Sequence, residues 1–353
     1  MGEHAVPQRR LAAILMAAFV LVLVAAGCGS DDESGSSGAG TGSSDKPAIK
    51  VGLVTDIGGL NDRSFNQLAN EGLKRAESEL GVDGRVLTSK SNADYVPNLS
   101  TLAQQKYDLV IGVGFLMADA MDTVAKKFPN TNFAIIDFSQ SGLKSKPTNV
   151  SGLLFKEQEA GYLVGYLAGK YVEAKGGDQV IGSVGGQKIP PVDHYIAGFQ
   201  AGAKAANDKI ETLNGYSQDF VDQAKCKELA LNQIAEGAQI VFQVAGQCGL
   251  GALDAAKEKG VQGIGVDADQ GYLGDHIMTS ATKKVDVAVY DAINAVQDGS
   301  FKGGADTIFE LKNDGVGIGK LNAEASKYEA DVQKVQEQIT SGEVSDIPDE
   351  VKK

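Results

Sequence analysis

The chain has 353 residues, of which 42% are hydrophobic, enough for the cores of two domains. Its formal net charge of -13 leaves no basic surface for a phosphate backbone, which excludes nucleic acid as a partner. Glycine is abundant at 44 residues and aromatics are scarce at 6%, so an aromatic at a predicted strand end stands out.

Residues 1–27 read as a leader. Arg9 and Arg10 form a basic start, and Leu11 to Ala26 is a continuous apolar run. That run is short of the roughly 20 residues of a membrane span and suits a signal sequence. It ends in Ala25-Ala26-Gly27-Cys28, a bacterial lipobox pattern with Ala in place of the usual Leu, so Cys28 is expected to be diacylated. Residues 28–47, rich in Gly, Ser and Asp, have no apolar periodicity and are expected to form a flexible tether.

From Ala48 onward strand and helix patterns alternate. Ile49–Val54 is an apolar run suited to a strand covered on both faces, followed by Gly58-Gly59 and a helix with apolar positions at Phe65, Leu68, Ala69, Leu73, Ala76 and Leu80. Asp62 or Ser64 is placed to cap that helix. Asp56, Asn61, Asp62, Phe65 and Asn66 therefore gather at the carboxyl end of the first strand, the edge where open α/β sheets bind ligands. Strands are predicted at 85–88, 108–114 and 132–138, with helices at 95–105 and 115–127. The polar stretch 139–148 is the expected hinge. A second set follows: helix 157–172, strand 180–185, helix 192–206, strand 211–216, a helix ending at 235, strand 239–245 and strand 263–266. The tail reads as helix 280–297, strand 307–311 and helix 322–340. This order predicts two doubly wound parallel-sheet lobes.

Asp137 and Asp267 each end a strong strand, and Phe65 and Phe220 each stand near a helix start, one per lobe. Two such rings across a cleft would sandwich a planar base, and the carboxylates would accept hydrogen bonds from ribose hydroxyls or a base N–H. Gly246–Gly251 is glycine-rich without being a phosphate-binding loop; it either brings backbone close to a small ligand or makes a tight turn. The three histidines show neither metal-ligand spacing nor a Ser-His-Asp arrangement, so no metal, cofactor or catalytic residue is expected. A nucleoside hydrolase or phosphorylase would need a metal-binding carboxylate cluster or a catalytic base, and none can be assembled.

The opening motif Asp56-x-Gly58-Gly59-x-x-Asp62-x-Ser64-Phe65-Asn66 resembles that of the basic membrane lipoprotein family, substrate-binding lipoproteins of ABC importers. So do Phe133–Asp137, Glu157–Leu163, Gly246-x-x-Gly249-Leu250-Gly251, Gly265-Val266-Asp267-x-Asp269-Gln270 and Ser280-x-x-Lys283-x-Val285-Asp286. The resemblance implies a periplasmic-binding-protein type I fold whose chain crosses three times between lobes. The expected lobes are 48–148 with about 279–306, and 149–278 with about 307–353. It further implies nucleoside binding, most simply of a purine. Phe65 and Phe220 would stack on the base, Asn61 and Asp62 would contact it, and Gly246, Asp267 and Lys283 would hold the ribose. The implied protein is a lipid-anchored extracytoplasmic monomer, not an enzyme, with an ABC permease and ATPase as partners. A sugar receptor of the same fold and a ligand sensor without transport are the alternatives. An exported chain meets an oxidising environment, and Cys226 and Cys248 remain as an even pair once Cys28 is acylated, so they are expected to form a disulfide.

Overall fold

The structure, a computed structural model, describes residues 48–351; the expected leader, Cys28 and the tether lie outside the described residues. In chain order the elements are β1 (Lys50–Val54), α1 (Phe65–Leu80), β2 (Asp83–Leu87), α2 (Tyr95–Gln104), β3 (Leu109–Gly112), α3 (Ala118–Lys127), β4 (Asn132–Ile136), β5 (Val150–Phe155), α4 (Glu157–Lys175), β6 (Val180–Gly185), α5 (Pro190–Ala206), β7 (Glu211–Tyr216), α6 (Gln223–Ala235), β8 (Ala238–Val244), α7 (Gly246–Lys259), β9 (Gln262–Asp267), β10 (Ile277–Lys283), α8 (Val285–Asp298), β11 (Ala305–Phe309), β12 (Val316–Ile318) and α9 (Glu329–Ser341).

They form two six-stranded sheets, ordered β11-β5-β4-β3-β1-β2 and β12-β10-β9-β8-β6-β7. The first is wholly parallel and the second is parallel except for β12. Side chains alternate across a strand, so an apolar run supplies both faces at once. In the first sheet Leu109, Ile111 and Ile136 join the core with Leu73 of α1 and Val289 of α8. Val110, Phe133 and Ile135 face Leu99 of α2 and Met121 of α3 on the other side.

In the second sheet α4 and α5 lie on one face. Their backbones approach so closely that a Cβ at Gly165 would stand 2.0 Å from the Phe199 carbonyl oxygen, and one at Gly202 2.0 Å from that of Tyr162. On the opposite face α6 and α7 are joined by the Cys226–Cys248 disulfide, with a Cα separation of 5.6 Å. A loop of that size removes about 3 kcal/mol of unfolded-chain entropy.

The lobe boundaries differ from the expected ones. β5 pairs with β4 and β11 with β5, so both belong to the first lobe; β10 pairs with β9 and belongs to the second. The crossings therefore fall at Lys156, Lys284 and residues 310–315, and the 139–148 stretch lies inside the first lobe. The three crossings brace one another: Lys156 N–H donates to Phe309 O (2.9 Å), Lys284 N–H donates to Gly315 O (2.9 Å), and the Lys156 ammonium meets Glu310 and Glu159. The rings of Phe155 and Phe309 stack beside them at 4.9 Å.

Element assignments also change. β5 and β12 have no counterpart in the expected order, and residues 280–283 close a strand instead of opening a helix. Gly246–Gly251 is the first part of α7, not a loop: a Cβ at Gly249 would meet Gln243 Oε1 at 1.7 Å and one at Gly251 the Gln223 carbonyl oxygen at 1.9 Å, so these glycines serve close packing.

Gly165→Ala should lower stability by about 1–3 kcal/mol, because α4 and α5 must separate to admit one methyl group. Urea denaturation measures it; an unchanged midpoint would mean that the helix pair is not tightly seated.

Candidate functional site

The carboxyl ends of β1, β3 and β4 face those of β6, β8, β9 and β10 across a cleft. Nine of the ten predicted ligand residues line it: Asp56, Asp62, Phe65, Asn66, Asp137, Phe220, Gly246, Asp267 and Lys283. Asn61 does not; it is exposed and lines an adjoining polar groove with Arg63 and Gln67.

The first βα turn is fixed by its own side chains. Asp62 caps α1, accepting from the N–H groups of Ser64 (3.2 Å), Asn66 (2.7 Å) and Gln67 (3.1 Å). Asn66 donates to Asp62 (3.0 Å) and accepts from Asp56 N–H (2.8 Å). Asp62 and Asn66 thus hold the turn together, and burial raises the Asp62 carboxyl above its ordinary pKa. The Ser64 hydroxyl, instead of capping, crosses to the other lobe and donates to Asp267 Oδ2 (2.7 Å). Gln270 reaches back to the Arg63 carbonyl oxygen (3.2 Å), so the lobes are in contact at this edge.

Asp56 is buried beneath Gly114 and accepts from the Tyr95 hydroxyl. A Cβ at Gly114, whose φ is 113°, would stand 2.7 Å from Asp56 Oδ2, so only glycine leaves that oxygen its place. Burial pushes the Asp56 carboxyl up to about 6, although the Tyr95 hydrogen bond works against the rise.

The opposite end of the cleft holds a charge cluster centred on Lys283, at the end of β10 and only 2% exposed. Its ammonium lies 2.6 Å from Asp137 Oδ1 of the first lobe and 2.9 Å from Glu157 Oε1, and 5.1 Å from the centre of the Phe65 ring. Burial disfavours its charge, but Asp137, Glu157 and Asp267 outweigh burial and hold the ammonium above its ordinary pKa. Burial raises Asp137 to about 7 despite Lys283 beside it. Burial opposes the Glu157 carboxylate too, yet Lys283 and His194 bring it below the ordinary value. Asp267 is raised by burial and accepts from Ser64 and from the Tyr195 hydroxyl (3.3 Å). Asp137 and Asp267 follow or end the fourth strand of their sheets in chain order, and both adopt left-handed backbone, φ 68° and 59°.

Phe65 and Phe220 present half-buried rings from opposite lobes. Gly186 makes room for the second, since a Cβ there would meet Phe220 Cε1 at 2.3 Å. Ile57, Phe115, Ile189 and Val192 complete an apolar wall. Sequence reasoning missed Glu157, Tyr195 and Tyr95 as parts of this site. Glu157 opens a predicted helix and begins Glu157–Leu163, one of the stretches that carry the family resemblance; that match is the signal that would have found it.

Two doubly wound parallel sheets, three crossings and a cleft between strand carboxyl ends define a solute-binding protein of the periplasmic-binding-protein type I fold. The chain belongs to the Bmp family, ABC transporter substrate-binding proteins that are PnrA-like, whose family model matches residues 49–350. It is 35% identical to the ABC transporter nucleoside-binding protein BmpA of Lactococcus lactis, over 96% of this chain and 99% of that one. It is 37% identical to an uncharacterised lipoprotein of Pyrococcus abyssi, over 88% of this chain and 77% of that one. An ABC transporter solute-binding protein from Aeropyrum pernix has a similar structure, with TM-score 0.77 and 30% identity, covering 85% of this chain and 94% of that one.

A carboxyl titrating near 6 in the fold and near 3.8 in the unfolded chain binds more protons when folded, so its contribution to stability is complete below about pH 4 and is lost as pH rises through 6. Asp56→Asn abolishes that loss. Its stability relative to wild type should rise by on the order of 3 kcal/mol between pH 4 and 7, read from urea denaturation at each pH. A constant difference would place the Asp56 titration elsewhere.

Proposed function

We propose that the protein captures a nucleoside, most simply a purine nucleoside, between its lobes and delivers it to an ABC permease. The observation that carries this is the division of the cleft. One end offers an aromatic ring from each lobe and an apolar wall; the other offers buried carboxylates and Lys283. A flat apolar base suits the first and a ribose suits the second. Stacking is worth about 1–3 kcal/mol per base–aromatic contact and does not by itself select one base. Asp267 and Asp137 offer hydroxyls acceptor capacity beyond their bonds to Ser64, Tyr195 and Lys283, so a ligand without ribose would forgo those extra buried hydrogen bonds. Asp62 and Asn66 support the site by fixing the turn that presents Phe65. A monosaccharide would use only the polar end and leave the aromatic half unfilled, which is why a nucleoside fits better than a sugar. The name of the Lactococcus lactis relative agrees with this reading.

The body is proposed to be a monomer tethered outside the cytoplasmic membrane by diacylated Cys28, with the three braced crossings acting as the hinge on which the lobes close. The apolar run ending in Ala-Ala-Gly-Cys and the lipoprotein name of the Pyrococcus abyssi relative support the anchor. Ligand capture followed by hand-over requires no bond to be made or broken.

Calorimetry with guanosine, adenosine, cytidine, guanine and ribose tests the ligand. Asp267→Ala should weaken nucleosides by about tenfold or more while sparing free guanine, and Phe220→Ala should weaken both. Tight ribose binding with every nucleoside inert would instead establish a sugar receptor. For the anchor, Cys28→Ala should abolish incorporation of labelled palmitate and move the protein from membrane to medium or leave its leader uncut. Normal processing and membrane retention of that variant would refute lipidation.

A further inference from the structure

Glu157 opens α4 with its carboxylate divided between two partners. Oε1 accepts from the Lys283 ammonium at 2.9 Å, and Oε2 lies 3.0 Å from His194 Nδ1. Glu157 is 2% exposed, whereas the His194 side chain is 29% exposed and meets solvent. Neither lines the cleft. A continuous row of charge-bearing contacts therefore runs from a surface imidazole through Glu157 to Lys283, and from there 2.6 Å to Asp137 in the other lobe.

We infer that Glu157 and His194 are positioning residues for Lys283, and that the proton on His194 sets how the ammonium divides itself between Glu157 in its own lobe and Asp137 across the cleft. The ligand side of this inference rests on the nucleoside reading above. With a neutral imidazole, Glu157 directs its whole charge at Lys283 and draws it toward the second lobe. With an imidazolium, that charge is shared and Lys283 leans on Asp137. The bridge between lobes then strengthens, and the closed, ligand-holding arrangement is favoured. A ligand that needs the closed form must bind more tightly when His194 is protonated, and by linkage its binding takes up a proton.

The groups facing His194 are Glu157 from α4, Asp349 from the segment after α9 and Lys283 from β10. Asp193, its neighbour in sequence, is already held by Lys188 and Tyr216. Burial pulls the imidazole down, Lys283 does the same, and Glu157 with Asp349 outweighs them, so His194 titrates above its ordinary value.

The test has a ligand-free arm and a ligand arm, and both compare wild type with His194→Gln, a change at a partly exposed position that keeps a hydrogen-bond donor. In the first arm the Lys283 side-chain carbon-13 resonance is followed by NMR against pH. The wild type should show an inflection at the pKa of His194 that the variant lacks. An inflection retained unchanged, or none in the wild type, overturns the relay. In the second arm guanosine affinity is measured by calorimetry between about pH 5.5 and 8.5. Relative to the variant, in which Asp137 still titrates, the wild-type affinity should fall by about fivefold or more as pH rises. Equal slopes in both proteins assign the effect to Asp137 and overturn the role of His194. If wild type binds no nucleoside at any pH while the Lys283 resonance still follows His194, the nucleoside reading falls and the relay stands.

Discussion

A buried ammonium is the constraint around which this cleft is arranged. Lys283 sits at 2% exposure, where an isolated charge would cost several kcal/mol or would lose its proton. It survives because the chain brings carboxylates to it from β9, from the end of β4 and from the start of α4. Each of these is itself too buried to be stable as an unpaired anion. The dependence is mutual, and Asp137 belongs to the other lobe. The same contact that keeps the lysine charged therefore also joins the two lobes.

Much of the sheet architecture is readable in the sequence because parallel strands covered on both faces must be apolar throughout, as Val51–Val54, Leu109–Gly112 and Phe133–Ile136 are. β10 escapes that test. It is wholly buried yet contains Thr279, Ser280, Thr282 and Lys283, whose polarity is met only by distant partners: Thr279 donates to Gly319 O and Ser280 Oγ accepts from Gln270 N–H. The lobe crossings escape for a related reason. Which sheet β11 joins depends on pairing with β5, some 150 positions earlier, and no local pattern encodes it.

The site was more legible than the crossings. Ligand-capable side chains at strand ends and helix starts follow from the geometry of an α/β sheet, and nine of the ten chosen residues meet in one cleft. What sequence could not apportion was their work. Asp62 and Asn66 are consumed in holding their own turn, Asn61 points to a neighbouring groove, and Glu157, within a family-like stretch, was given no part in the site. These distinctions depend on which hydrogen-bonding capacity is already spent, a property of three-dimensional neighbours.

Asp137 follows and Asp267 ends the fourth strand of its sheet, and both share a backbone conformation that L-residues adopt at a cost. Each of these carboxylates is latched by a residue of the opposite lobe, Asp137 by Lys283 and Asp267 by Ser64. Parting the lobes would therefore strip a buried anion of a partner on both sides of the cleft at once.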